Sequence, residues 1–344
     1  MHPPQTTPTG LRERVRYQRG PLLDRQPMRK ALILYNPQSG QRNRRLDTAT
    51  ERAAEVLREA GIEVTVRATV SAAEAGQQAR EAVCEGYDTI FACGGDGTIQ
   101  DVAQGLVGSR AALGIIPLGT ANALAHDLGI PSDASAAARL ALRALPRRIA
   151  VGKADYHRAD GSLATRYFLS VAGAGQDATL IHQLKSGDKR SFGIAAYFLK
   201  ALQVWLTHRP QWLSASLSGD VEPRPQQVTQ LLAVRIHDFG NLLRDLAPGA
   251  SLLRQDFRVV LFKTSSRWAY LLYVLRGIAG ANSAIAGVET TYANAIRLAS
   301  ASSSSPVYLE ADGELLGQLP AEISIVPDAL TLLVPPDFAS RRPG

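Results

Sequence analysis

Phe91-Ala92-Cys93-Gly94-Gly95-Asp96-Gly97-Thr98 ends an apolar run in a glycine-rich turn that carries one carboxylate and one hydroxyl. Upstream, Asp88 to Cys93 reads as a short buried strand. Downstream, the apolar residues of Ile99 to Leu106 are spaced for one face of a helix. A strand, a Gly-Gly turn and a helix start aim backbone N–H groups at an approaching anion, and the helix dipole favours negative charge there. Asp96 adds a group able to meet Mg²⁺, and Thr98 a hydroxyl donor for phosphate. Taken alone, the same turn also fits a tight connection that needs glycine for space.

Two further turns have the same build. The apolar strand end Gly114-Ile115-Ile116-Pro117 leads into Leu118-Gly119-Thr120-Ala121-Asn122, and Ala31-Leu32-Ile33-Leu34-Tyr35 leads into Asn36-Pro37-Gln38-Ser39-Gly40. Three strand-to-helix turns, each with glycine and a hydroxyl, would converge on the carboxyl ends of one parallel sheet, where open α/β folds bind ligands. The helical stripe from Leu46 to Ala60, the strand Ile62 to Val66 and the capping box Ser71-x-x-Glu74 continue a βαβα order. The fold class is therefore α/β with a doubly wound parallel sheet.

These motifs resemble the catalytic domain of diacylglycerol-kinase-type lipid kinases, the bacterial soluble enzymes included, a domain shared by sphingosine and ceramide kinases. The resemblance continues through Gly173-Ala174-Gly175-Gln176-Asp177, Lys189-Arg190-Ser191-Phe192-Gly193 and Tyr197, and closes at Asp312-Gly313-Glu314. It spans about residues 29 to 335. Gly-Gly-Asp-Gly-Thr also occurs in NAD kinases; the Pro117-x-Gly119-Thr120-x-Asn122 element and the late Asp-Gly-Glu make the lipid-kinase match the more specific.

The resemblance implies ATP and Mg²⁺ as cofactors and a lipid hydroxyl as acceptor. Gly94, Gly95, Gly97 and Thr98 would cradle phosphate, with Asn36, Ser39, Gly40, Thr69, Thr120 and Asn122 around them and Asp96 near the metal or nucleotide. Asp312 would accept the hydroxyl proton, and Glu314 would orient nucleotide or metal. Read as strand residues two apart, both carboxylates share one face; the plain alternative is a solvated Asp-Gly turn. Two departures stand out. Ala123 replaces the Asp that many members carry after the Asn. Arg254 and Gln255 fall where some members bind an accessory Mg²⁺, leaving Asp256 as a weak metal candidate.

With 344 residues, the chain fits two domains. An arm (1–28) without apolar periodicity reads as disordered and not as a signal peptide, followed by a nucleotide-binding domain (29–148). A mainly antiparallel β domain for the lipid (149–328) comes next, with a last strand near 329–336 returning to the first domain. A net charge of +7 favours an anionic partner such as nucleotide or a membrane surface. No segment interleaves basic and aromatic residues as nucleic-acid binders do. Cys84 and Cys93 make no disulfide framework, so the cytoplasm, with work at the inner membrane face, is the expected location. The most apolar stretch, Trp268 to Val288, reads as a core helix. The oligomeric state is open. Two other readings are a non-catalytic regulator that kept the fold and an NAD-kinase-like enzyme.

Overall fold

The computed structural model describes residues 28–37, 43–175, 210–218, 225–240, 246–279, 283–301 and 306–340. Ser39, Gly40, Asp177, the basic residues Lys185, Lys189 and Arg190, and the apolar stretch 192–199 lie outside them.

The first half of the chain forms β1 (Lys30–Tyr35), α1 (Asn43–Glu59), β2 (Glu63–Ala68), α2 (Ala72–Cys84), β3 (Thr89–Gly94) and α3 (Asp96–Leu106). β4 (Ala112–Pro117), α4 (Ala123–Leu128) and α5 (Ala134–Ala141) follow. The strands are parallel in the order β4-β3-β1-β2. Strand alternation sends Ala31 and Ile33 to one face, where Ala53, Leu57, Ala134 and Ala138 of α1 and α5 meet them. Leu32 and Leu34 face the other way, onto Ala79 of α2 and Ile99, Val102 and Leu106 of α3. The sheet is therefore covered on both sides, which is why β1, β3 and β4 are continuous apolar runs. Ser71 accepts the Glu74 N–H at 3.2 Å and opens α2.

The second half contributes β5 (Leu145–His157), β6 (Leu163–Phe168), β7 (Val171–Gly175), β8 (Leu213–Leu217), β9 (Gln226–Val228) and β10 (Gln230–Val234). It continues with β11 (Phe257–Phe262), α6 (Arg267–Ala279), β12 (Val288–Ala293), β13 (Ala295–Ser300), β14 (Tyr308–Ala311), β15 (Glu314–Val334) and α7 (Pro336–Ser340). Apart from the β15–β4 pair, its pairings are antiparallel. Phe168, Leu213, Leu231, Phe257, Ile296 and Ile323 fill its core.

β15 binds the halves together. It runs antiparallel to β5 from Gln318↔His157 to Val334↔Leu145, and Thr331 and Leu332 pair in parallel with Ala112 and Leu113 of β4. The expected boundary near 148–152 thus falls inside β5. A shared strand pair crosses from one half to the other in place of a linker. α6 departs from the core helix expected of the Trp268 region: only Ala269, Tyr270, Tyr273 and Gly277 are buried.

Candidate active site

The carboxyl ends of the parallel strands are tied edge to edge. Thr69 N–H donates to the Tyr35 carbonyl at 2.8 Å, Asn36 N–H to the Cys93 carbonyl at 3.4 Å, and Leu118 N–H to the Gly94 carbonyl at 2.8 Å. This row brings Asn36, Thr69, Gly94, Gly95 and Gly119 side by side, with Thr120 exposed beside them. Cys93, just below, is buried, and that burial pushes its thiol up to about 12; it is a packing residue.

Glycine is required here for space. A Cβ on Gly94 would stand 2.6 Å from the Thr98 hydroxyl, and one on Gly119 would stand 2.5 Å from the Gly95 Cα. The two glycine turns are pressed backbone to backbone. Asn122, in the left-handed region at φ 48°, holds this packing: its Oδ1 accepts the Gly119 N–H at 3.0 Å and its Nδ2 donates to the Gly119 carbonyl at 2.8 Å. Ala123 opens α4 with Asn122 as its cap.

α3 begins at Asp96 with Gly95 as N-cap, and no side chain caps it. Its first turn is therefore presented to whatever lies above the row, with a partial positive charge from the helix dipole. Gly97 lies in this turn. A Cβ at Gly97 would have nothing within 4 Å of it, and the residue's φ is outside the left-handed region, so backbone strain does not explain this glycine. Gly97→Ala should leave the fold intact, because the added methyl meets no protein atom. It should weaken nucleotide binding by at least about tenfold if phosphate approaches there. Equal affinity of mutant and wild type by calorimetry would remove phosphate from this turn.

Asp312 and Glu314 do not share a strand face. Ala311 pairs with Glu314, so Asp312 and Gly313 form a two-residue hairpin between β14 and β15. Both have positive φ, 47° and 78°. This is the conformation Asp-Gly favours in tight hairpins. The turn is not simply solvated. Asp312 Oδ2 accepts the Leu169 N–H at 2.8 Å, and Oδ1 accepts those of Ser170 and Val171, each at 2.9 Å. Burial raises the carboxyl to about 6, the three amides pull the other way, and the nearby Asp96 carboxylate adds to the rise. The Asp96 carboxylate is thus near enough to Asp312 for its charge to be felt there.

Glu314 joins an ion-pair triad. Arg166 Nη2 lies 2.8 Å from Asp101 Oδ1 and 3.0 Å from Glu314 Oε2. Burial raises the Asp101 carboxyl, with Arg166 opposing. Gln100 and Gln104 of α3 donate to the Tyr167 carbonyl at 2.6 and 2.9 Å. One face of α3 is thereby fixed to β6, which sets Asp96 relative to Asp312. Sequence reading missed these residues; their signal was a polar Gln-Asp-x-x-Gln stripe on a helix whose apolar stripe was already assigned. Asp127 is a second tie that was missed, its Oδ1 accepting the N–H groups of His237 and Asp238 at 2.9 and 3.0 Å. Glu310 is a third buried carboxylate, accepting the Gly313 N–H at 3.1 Å.

The described residues of 236–256 do not suit an accessory Mg²⁺. Both Asp256 oxygens are taken by Arg254, at 2.6 Å each, and the Arg254 guanidinium stacks on Tyr292 at 3.9 Å. No group of three or more His, Cys, Asp or Glu residues suited to a metal occurs among the described residues. The backbone carbonyls of Leu252, Arg254 and Asp256 point instead at the fully buried Arg235, which also donates to the Ala150 carbonyl at 2.8 Å.

A parallel nucleotide-type sheet joined through the β5–β15 strand pair to a mainly antiparallel β half defines a two-domain α/β fold. Residues 30–154 match the family model of the diacylglycerol kinase catalytic domain, and 170–334 match that of the YegS C-terminal NAD kinase beta sandwich-like domain. The diacylglycerol kinase of Bacillus subtilis (strain 168) is 30% identical over 301 residues, covering 86% of this chain and 93% of the relative. That of Staphylococcus aureus (strain bovine RF122 / ET3-1) is 27% identical over 318 residues, covering 91% and 95%. A crystal structure of a diacylglycerol kinase from Bacillus anthracis str. Sterne shares the fold, with TM-score 0.67 at 19% identity over 90% of this chain and 98% of that one. The chain belongs to the bacterial diacylglycerol kinase family and is a phosphotransferase acting on an alcohol.

Proposed function

We propose that the protein transfers the γ-phosphate of ATP to the hydroxyl of a membrane lipid, diacylglycerol-like or sphingoid-like. The observation that carries this reading is the placement of Asp312. Three of its four lone-pair positions are held by backbone amides, and one on Oδ2 remains for a substrate hydroxyl. A carboxyl raised to about 6 is ionised at neutral pH yet basic enough to assist proton transfer.

In this reading the triphosphate lies over Asn36, Ser39, Gly40, Thr69, Gly94, Gly95, Gly97, Thr98 and Thr120, with Asn122 keeping the second turn in place. The lipid oxygen attacks the γ-phosphorus, the bond from that phosphorus to the β–γ bridging oxygen breaks, and ADP leaves. The hydroxyl proton passes to Asp312. Mg²⁺, when bound with ATP, supplies charge neutralisation at the phosphates. The Asp96 carboxylate, partly exposed at the open helix start, is the residue that would hold it. Glu314 acts through Arg166, which keeps α3 and the hairpin in register.

The lipid reading also places the protein at the inner face of the membrane. No helix among the described residues is long and apolar enough to cross a bilayer. Incubation with labelled ATP, Mg²⁺ and a total lipid extract should yield a labelled lipid, whose identification names the acceptor. In a parallel incubation with NAD in place of the lipid extract, label appearing on NAD would establish the NAD-kinase-like reading.

A further inference from the structure

We propose that the outer face of α6 is the surface that docks on an anionic bilayer. This deepens the lipid-kinase reading by assigning the membrane contact to named residues. Among the described residues, five of the eight exposed large hydrophobic side chains lie on this helix: Trp268, Leu272, Val274, Leu275 and Ile278. Trp268 is 65% exposed and Leu272 53%. Trp268, Leu272 and Leu275 recur at the i, i+4, i+7 spacing of one helix stripe, and Val274 and Ile278 flank it. The opposite side is already used. Tyr270 and Tyr273 pack with Leu232, Val260 and Phe262, and Phe262 stacks on Tyr270 with ring centroids 4.5 Å apart. Leu272, Val274, Leu275 and Ile278 stand exposed outside this contact.

Charge decides the occupant. From Arg267 to Val288 the sequence has two cationic residues, Arg267 and Arg276, and no acidic one; Lys263, just before, is paired with Glu289 at 2.5 Å. Successive helix residues advance by about 100°, which puts Arg276 at one edge of the apolar face and Arg267 toward the other, between Ile278 and Val274. Arg276 is held at its edge by bonds to the carbonyls of Ser283 and Leu246, each at 3.3 Å. An apolar stripe containing Trp and bordered by cations is the pattern of a helix lying in the plane of an anionic lipid interface. A second copy of the same face would bring like charges together, which disfavours a dimer there. The segment is too short to span a bilayer, so the helix lies on the surface.

The test is sedimentation of the full chain with phosphatidylglycerol-containing vesicles and with pure phosphatidylcholine vesicles, without ATP. Wild type should bind the anionic vesicles more strongly, and added salt should weaken that binding. The double variant L272E/L275E should lower the vesicle affinity by at least about tenfold. Its thermal midpoint should stay at the wild-type value, because both side chains are exposed. Wild-type affinity in the variant, absence of vesicle binding by the wild type, or a concentration-dependent dimer broken by the variant would each overturn the proposal. Binding is read without turnover. Loss of the lipid-kinase reading would therefore show in the labelling experiment and leave this one standing.

Discussion

Asp312→Asn should lower lipid-dependent turnover by about 10²- to 10⁴-fold, the range for removing a positioned acid–base group. Nucleotide affinity should be nearly unchanged, since in the proposed arrangement the phosphates are gripped by the other half of the site. Asn tolerates the left-handed backbone at φ 47°, so the hairpin survives. The replacement is not isosteric in its hydrogen bonds. If Oδ1 keeps the amides of Ser170 and Val171, the new NH₂ faces the Leu169 N–H, donor against donor, where the carboxylate now accepts at 2.8 Å. A stability loss of about 1–3 kcal/mol is expected from the stranded donor. Turnover must therefore be measured well below the variant's melting range. Retention of full turnover would end the assignment of Asp312 as base.

The same group sets the pH dependence. Burial raises its carboxyl to about 6, with the Asp96 charge adding to the rise. In the proposed mechanism the active form is the carboxylate, so activity should fall as pH drops through about 6 and level off above it. The stability linkage runs the other way. A carboxyl raised in the folded state binds its proton more tightly there, so its contribution to stability declines as pH climbs from the ordinary 3.8 to about 6. Protonation of Asp312 itself thus does not weaken the fold, so the activity it costs on acidification is separable from unfolding. Asp312→Asn should abolish this limb in whatever turnover remains.

The parts legible in the sequence were those dictated by local pattern. The apolar runs at 31–35, 88–93 and 114–117 read as strands, and the glycines after them marked the turns. What escaped reading was set by partners far along the chain. Asp312-Gly313 carries the signature of a two-residue hairpin, and treating it as strand put Glu314 on the wrong face. Burial of the Asp312 carboxylate depends on the Leu169–Val171 amides, more than 140 positions away, which no local pattern reveals. The Gln100, Asp101 and Gln104 face of α3 reads as solvated until β6 is placed against it. α6 is apolar enough to look like core, yet it has only one sheet face to cover. Its remaining apolar residues became surface.

Arg235→Met should be the most damaging change to the fold itself. Arg235 ends the apolar run of β10, where a single charge reads as a strand terminus, yet it has no exposed surface. Its guanidinium donates to the carbonyls of Ala150, Leu252, Arg254 and Asp256, which belong to β5 and to the loop entering β11. Burial lowers its pKa to about 10, with Asp256 and Asp312 opposing, so it stays cationic at neutral pH. Met restores the volume and removes a costly buried charge, but it leaves four carbonyls without this donor. Each stranded buried carbonyl costs about 1–3 kcal/mol, and loss of the buried charge offsets part of the sum, so the thermal midpoint should drop by on the order of 10 °C. The same geometry predicts that Mg²⁺ or a chelator leaves the midpoint of the nucleotide-free wild type unmoved. The carbonyls a cation would use already face a guanidinium, and Arg254 holds both oxygens of Asp256. A saturable Mg²⁺-dependent rise in the wild type, lost in Asp256→Asn, would show that an ion and not Arg235 closes this loop.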